Sequence, residues 1–207
     1  MSHVPIDHFS LNNLERVYQE SPVESISEID RIVIFSDLHM GNGSRNDDFR
    51  INADLFTNAM ERYYEPEGYR LVLNGDIEEL QRSTFPAIRR RWPHVYEIFE
   101  RLNAKDRLRR LEGNHDSGIG FLLDKDQPVY QGLRMRYKHH EMFVFQGHQT
   151  SRWFERHNRK VEFFLRYLAN PLHIKNTSVS HDSRKRFTTE KRAYEFATRR
   201  KVLAVIG

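Results

Sequence analysis

Apolar residues in this chain gather in short runs, and several of these runs end abruptly in glycine and polar residues. Four runs, at 32–35, 69–73, 107–111 and 142–145, read as buried strands. Between the first two, Leu55, Phe56, Ala59, Met60 and Tyr63 recur at helical spacing and are predicted to share one helix face, which Pro66 and Gly68 end. Between the second and third, Ile88, Trp92, Val95, Ile98, Phe99 and Leu102 form another such face. Pro86 and Pro93 are predicted to break or bend its early part. Strands alternating with helices imply βαβ units and a largely parallel sheet.

After Asp116 the pattern changes. A glycine-containing loop at 117–120 gives way to shorter β-like stretches around 128–137 and 142–145, where a second sheet is expected to begin. The first twenty residues read as a polar arm followed by a short amphipathic helix. From 152 to about 170, a predicted helix carries Val161, Phe164, Leu165 and Leu168 on one side and Arg156, Arg159, Lys160 and Arg166 elsewhere, and Pro171 stops it. A polar linker at 176–183 leads to a second basic helix, 185–201. The two helices look like a hairpin inserted between strand units.

Composition narrows the class. A length of 207 residues suits one domain with a real core. There is no 18-residue apolar stretch and no basic-then-apolar leader, so the expectation is a cytoplasmic protein without a membrane span. The absence of cysteine removes disulfides and thiolate zinc sites. Oxygen and imidazole ligands remain, and they suit Mn, Fe, Mg or a catalytic Zn. The net charge of +4 hides an asymmetry: residues 151–207 hold 14 Lys and Arg against 5 Asp and Glu, and residues 1–150 hold 19 against 24. Acids in one part and a basic segment in the other suit an anionic substrate, although a charge run alone is more often a solvated helix face.

Three strings at strand ends carry the chemistry: IVIFSDLH (32–39), LVLNGD (71–76) and LEGNHD (111–116). Ligands of open α/β sheets bind outside the carboxyl ends of the strands, which is where these strings place their polar residues. Asp37 and His39 are two apart, so in extended chain both face one side and can share an ion. Asp76 follows Gly75 and could bridge two cations. Its ordinary alternative is a helix N-cap with Glu79 three residues on, and taken alone that alternative is favoured. In the third string Asn114 offers an amide oxygen to a metal. His115 suits proton transfer, and Asp116 could orient its ring. FQGHQ (145–149) adds His148, with a polar histidine at a turn as the plainer reading. The other histidines read as surface or packing residues, the pair His139–His140 being the hardest to dismiss.

Taken in order, Asp-Leu-His, Gly-Asp, Gly-Asn-His-Asp and a later Gly-His resemble the calcineurin-like metallophosphoesterases over 32–148. The resemblance implies a β-sandwich flanked by helices, four-layer α/β/β/α, with a dinuclear metal centre that hydrolyses phosphate esters or anhydrides. It implies that Asp37 and His39 hold one metal, Asp76 bridges and Asn114 holds the second. His115, with Asp116 behind it, assists the leaving group. Two divalent ions, Mn foremost with Fe, Zn or Mg as alternatives, would activate a bridging hydroxide for in-line attack on a phosphorylated anion.

Two departures change this picture. Relatives with a helical insertion carry His-Gly-His or His-Gly-Asp at the fourth motif, whereas this chain has Gln146 in the first place. Residues 146 and 148 share a strand face, so either His148 or the Gln146 amide could ligate, and imidazole is the stronger ligand. The family also ends its motifs with Gly-His-x-His after a late strand, and this chain finishes KVLAVIG. The expectation is therefore truncation before two further ligands, with the edge strands of the second sheet missing, weakened metal binding and low activity. Bacterial UDP-diacylglucosamine pyrophosphatases also insert helices, but they carry Arg where this chain has His115. Trp153, Phe154, Phe163 and Phe164 among many arginines suit a lipid tail, a nucleotide or a nucleic-acid strand. The competing class is a non-catalytic module whose basic hairpin, 151–201, binds nucleic acid or a membrane surface, leaving the protein cytoplasmic or peripheral to the membrane.

Overall fold

A computed structural model describes residues 8–150 and 183–207. Helix α1 (His8–Glu20) leads through the short strand β1 (Val23–Ser25) to β2 (Ile32–Phe35). Helix α2 (Ala53–Ala59), continued by a π-helical turn at Met60–Tyr64, crosses to β3 (Arg70–Asn74). Helices α3 (Phe85–Arg91) and α4 (Pro93–Ala104) cross to β4 (Leu108–Leu111), and β5 (Val129–Tyr130) follows. Strands β6 (Leu133–Tyr137) and β7 (His140–Phe145), helix α5 (Ser183–Arg200) and β8 (Leu203–Ile206) complete the described elements. The predicted helix 152–170, its stop at Pro171, nearly all of the linker after it and the aromatic residues 153, 154, 163 and 164 lie outside the described residues.

The strands form two sheets, ordered β2-β3-β4-β5 and β1-β6-β7-β8. The first is wholly parallel. In the second, β6 and β7 are antiparallel, while β1 joins β6 and β8 joins β7 in parallel. Strand alternation fixes the layers, because successive side chains face opposite sides of a sheet. Ile32, Ile34, Val72 and Leu111 of the first sheet meet Leu133, Met135, Val144 and Val205 of the second. The neighbouring residues Val33, Phe35, Leu71, Leu73 and Leu108 face the opposite way, into the cluster made with α2, α3 and α4. On the far side, Phe143 and Phe145 pack against Leu14, Val17 and Tyr18 of α1 and Ala193 and Phe196 of α5. The architecture is therefore mixed α/β, with two face-to-face sheets flanked by helices.

Two details depart from the sequence expectation, and a third bears it out. Leu55 and Tyr63 are 72% and 53% exposed, and Phe56 and Met60 are the buried members of that face. The wider turn at Met60–Tyr64, closed by Glu65 N–H donating to Met60 O at 2.8 Å, shifts the phase of the helix. Tyr64, not Tyr63, then meets Phe35, with ring centroids 5.9 Å apart. Second, the β-like stretch 128–137 divides between the two sheets. Its start, β5, pairs with β4, and the chain crosses over at Gly132, where a Cβ would meet Phe143 Cε2 at 2.8 Å. Third, Pro86 and Pro93 lie in the first turns of two separate helices, so the break falls at Trp92.

Glu141 on β7 ties the second sheet to α1. Its carboxylate accepts from Arg134 Nε at 2.7 Å, from Arg136 at 3.2 Å and from the Tyr18 hydroxyl, and the Arg134 guanidinium stacks 4.0 Å from the Tyr18 ring centroid. Burial pushes this carboxyl up, but Arg134, Tyr18 and Arg136 outweigh it and hold it at about 2. An unfolded Glu titrates near ~4.3, so the stabilisation is complete above that pH and is lost as pH falls toward the folded value. Glu141→Gln is expected to cost about 1–3 kcal/mol at neutral pH. It should also flatten the acid limb of the stability curve between pH ~4 and ~2, as read by denaturant titration at each pH.

No helix among the described residues is long and apolar enough to cross a membrane.

Candidate metal centre

Strands β2, β3 and β4 run parallel in the register Phe35↔Leu73 and Asn74↔Leu111, so their carboxyl ends and the three loops beyond them open on one edge. Backbone bonds zip these loops together. Asp37 N–H donates to Gly75 O at 3.2 Å, His39 N–H to Asp76 O at 3.0 Å, Met40 N–H to Ile77 O at 2.8 Å and Leu80 N–H to His115 O at 3.1 Å. The loops hold strain: Asp37, His39 and Asp76 all have left-handed backbone, with φ of 56°, 49° and 54°. Among the described non-glycine residues only Asp106, Lys138 and Lys201 share this conformation, each in a turn between elements. Each left-handed residue costs on the order of 1–2 kcal/mol, so three at one sheet edge persist because the surrounding bonds over-determine them.

Glycine is required at two points. A Cβ on Gly113 would lie 2.1 Å from Asp76 Oδ1, and one on Gly75, itself at φ 76°, would strike Gln146 Cγ at 2.6 Å. These close approaches let Asp76 sit nearly fully buried between the loops. Its Oδ1 accepts His115 N–H at 2.8 Å, and its Oδ2 accepts from Gln146 Nε2 at 3.0 Å.

Two sets of donor atoms converge to within 4.8 Å of one another: Asp37, His39 and Asp76, and His39, Glu79 and His115. His39 Nε2 lies 3.7 Å from Asp37 Oδ1, and its Nδ1 lies 3.5 Å from Glu79 Oε2. The His39 and His115 rings meet edge to face at 4.6 Å. His115 Nδ1 is 2.8 Å from Glu79 Oε2. Electrostatics follow from this crowding. Burial opposes charge on His39, but Asp37, Glu79 and Asp76 overcome it and push the imidazole up to about 10. His115 is raised in the same way, burial being outweighed chiefly by Glu79. Burial likewise opposes charge on Glu79, yet His115 and His39 hold its carboxyl at about 2. Asp76 is raised, because its desolvation exceeds the attraction of His115 and His39. Asp37 is lowered, since His39 and Ser36 outweigh its burial. The carboxylates packed against each imidazole thus bias it toward its charged form.

The geometry assigns several residues differently from the sequence reading. Asp76 caps no helix, since the next one begins at Phe85. Asp116 does not orient His115. Its two oxygens accept backbone N–H groups, from Ile77 at 2.8 Å and Gly113 at 2.6 Å, so it staples the second loop to the third. Buried beside Asp76 and Glu78, its carboxyl rises to about 7. The residue bonded to His115 is Glu79, which the capping alternative had drawn toward a local role. The signal for it was its place three residues beyond Asp76.

Residues 146 and 148 do not share a strand face, because β7 stops at Phe145 and Gly147 turns the chain at φ 107°. Gln146 faces Asp76, while His148 stands behind Gln146 and belongs to neither donor set. Burial pulls the His148 imidazole down to about 4. Asn114 is buried in the loop it shares with His115, its backbone carbonyl accepting from Gln81 Nε2 at 3.1 Å. His139 in the β6–β7 turn and His140 at the start of β7 are exposed, at the opposite end of β7 from His148. Beneath the site, the Glu78 carboxylate accepts two bonds from Arg110, at 2.7 and 2.6 Å, and one from the Tyr96 hydroxyl at 2.9 Å. This buried pair anchors the 76–80 segment, and no motif announced it.

The residues fit divalent cations. Buried His39 Nδ1 and Glu79 Oε1 have no hydrogen-bond partner, in a cluster otherwise crowded with bonds. Unsatisfied ligand atoms facing opposed carboxylates and imidazoles are what an oxygen- and nitrogen-binding ion would satisfy.

A family model described as calcineurin-like phosphoesterase matches residues 30–202. Among solved structures, the chain is similar to Yfce, a phosphoesterase from E. coli, at 20% identity and a TM-score of 0.35. The match covers 56% of this chain and 57% of that one, so the chain spans little more than half of that structure's length. A search of curated proteins gives no match.

Proposed function

This chain belongs to the calcineurin-like phosphoesterase family, and from that premise we propose that it hydrolyses a phosphate ester or anhydride using two divalent metal ions, Mn foremost. The observation that carries the reading is the convergence of Asp37, His39 and Asp76 on strained backbone beside His39, Glu79 and His115. Asp37, His39, Asp76 and Asn114 would hold the ions, with Glu79 an additional donor. Bound divalent ions would neutralise charge on the phosphoryl oxygens and lower the pKa of an attacking water.

The chain's own residues supply the rest. Asp116 and the zipped loops keep the ligands in place, so little reorganisation accompanies reaction. Glu79 holds His115 by Nδ1 and favours its protonated form, which leaves Nε2 as the donor toward a departing oxygen. The basic character of residues 151–201 supports an anionic substrate, with that segment as a cap or platform on the domain. We place the enzyme in the cytoplasm.

The test is hydrolysis of a panel comprising a phosphomonoester, a phosphodiester and a nucleotide sugar, before and after chelation. Activity should vanish with chelator and return with Mn. Hydrolysis that survives complete metal removal, or no hydrolysis of any substrate with Mn, Fe, Zn or Mg, would sink the reading. Dependence on vesicles would indicate a lipid substrate, and a steep fall in binding with salt would indicate nucleic acid.

A further inference from the structure

The loop that follows His39 holds an arginine in place. Trp92, buried at the break between α3 and α4, donates its indole N–H to Gly41 O at 2.9 Å. The ring is thereby bonded to the chain two residues past a histidine of the donor cluster. Arg91 lies over that ring, with its guanidinium carbon 4.4 Å from the centroid. Its stem lies against Gly43, at φ 84°, where a Cβ would come 2.7 Å from Arg91 Cδ. Buried Asp47 fixes this turn, its Oδ2 accepting the Gly43 N–H at 2.7 Å. The ring contact leaves the guanidinium N–H donors available for a planar acceptor. Arg91 is exposed, yet among the described residues no carboxylate pairs with it. On the same helix Arg89 is already bonded to Glu100, at 2.6 Å. Arg45 and Arg90 are also exposed without ion pairs among the described residues, but no ring contact or bond fixes either of them.

We propose that Arg91 is a specificity-determining residue, which binds a second phosphate group of the substrate beside the one that is hydrolysed. The inference rests on the functional reading above, in which the cluster at this sheet edge hydrolyses a phosphate ester or anhydride. The chain allows at most ~8 Å between the α-carbons of His39 and Gly41, so the Trp92 ring is tethered close to the cluster. Arg91 stands off from the converging donors by the turn from Gly41 to Gly43, and it belongs to neither donor set. It therefore meets a group attached to the scissile phosphate, not the scissile phosphate itself. A guanidinium offers two parallel N–H donors to a phosphate, and one already held by Trp92 and Gly43 loses less freedom on binding. The substrate class this favours is one with two phosphates, such as an anhydride of the nucleotide-sugar kind, over a small monoester.

The test is steady-state hydrolysis of p-nitrophenyl phosphate, which has one phosphate, and of a nucleotide sugar, which has two. The parent chain is compared with Arg91→Ala and Arg91→Lys, and thermal melts establish that each variant is folded. Arg91→Ala should lower kcat/KM for the nucleotide sugar, relative to that for p-nitrophenyl phosphate, by about 10- to 100-fold, the worth of hydrogen bonds to a charged group. Most of that loss should appear in KM. Arg91→Lys keeps the charge without the planar fork and should restore only part of the preference. Because the readout is a ratio between two substrates on one protein, a uniform loss of folded enzyme does not mimic it. If the parent turns over the nucleotide sugar alone, a raised KM with kcat kept supports the assignment, and a fall in kcat alone overturns it. Equal losses on both substrates, no loss on the nucleotide sugar, or a parent that hydrolyses only p-nitrophenyl phosphate overturns the role of Arg91 while leaving the phosphoesterase reading standing. No hydrolysis of either substrate with Mn, Fe, Zn or Mg overturns both.

Discussion

Asp76→Ala is expected to abolish metal uptake and phosphoester hydrolysis together. The carboxylate sits where three loops converge, belongs to the Asp37–His39 donor set, and accepts N–H bonds from both His115 and Gln146. Groups that merely support metal ligands are worth about 10- to 100-fold in affinity or activity, so loss of a shared ligand should exceed that. Asp76→Asn sharpens the test. The Asp76 carboxyl is raised because desolvation outweighs the attraction of the two imidazoles, so its charge destabilises the metal-free fold. The Asn variant should therefore lose metal binding while its melting temperature stays close to that of the metal-free parent, because relief of the buried charge is offset by an amide nitrogen facing one of the two N–H donors. A merely structural Asp76 would give a lower melting temperature with activity kept among the molecules that remain folded. The substitution also separates an enzyme from a binding module, since a scaffold that recognises its ligand through residues 151–201 would keep that ligand when Asp76 is lost.

His115→Ala should lower kcat by about 10²- to 10⁴-fold, the usual worth of a positioned general acid, with metal affinity changed far less. Glu79→Gln should act through the same histidine. The carboxylate bonds His115 Nδ1 at 2.8 Å and favours its protonated form. An amide keeps the ring's orientation but not the charge, so a loss of about 10- to 100-fold is expected. In the double variant the two losses should fall short of additive, by the part of the Glu79 effect that acts through the imidazole. Fully additive losses would mean that Glu79 serves the metal or the fold independently. A substrate with a good leaving group such as p-nitrophenolate should be hydrolysed by His115→Ala at nearly the parent rate, and equal losses for poor and good leaving groups would remove His115 from that role.

Legibility of the fold followed the strength of local pattern. The run 32–35 is β2 in full, because a short apolar run ending in polar loop residues has few other uses. The face Ile88, Trp92, Val95, Ile98, Phe99 and Leu102 is buried throughout, and Pro93 marks the helix start at which the chain bends. The face around Phe56 was misjudged at Leu55 and Tyr63, because no residue pattern reveals a π-turn that packing against Phe35 selects. Strand β1 has three residues and no periodicity to read, so its existence depends on its pairing with β6.

At the site, the convergence of Asp37, His39, Asp76 and His115 was legible because each stands at the end of an apolar run in one parallel sheet. Glu79 was visible only as a capping residue, and Asp116 only as a partner for its neighbour. Both readings assumed that partners are near in sequence. The structure bonds Glu79 to a histidine 36 positions away and Asp116 to an amide 39 positions away.

The amino-acid sequence by itself determined the strand ends, the ligand types and the edge on which they gather, since periodicity and parallel crossovers follow from local sterics and burial. Which oxygen faces which nitrogen was decided only by the tertiary structure. Left-handed backbone at Asp37, His39 and Asp76, the staple made by Asp116 and the bond from the Gln146 amide to Asp76 arise from contacts between loops that the chain brings together only when both sheets are closed.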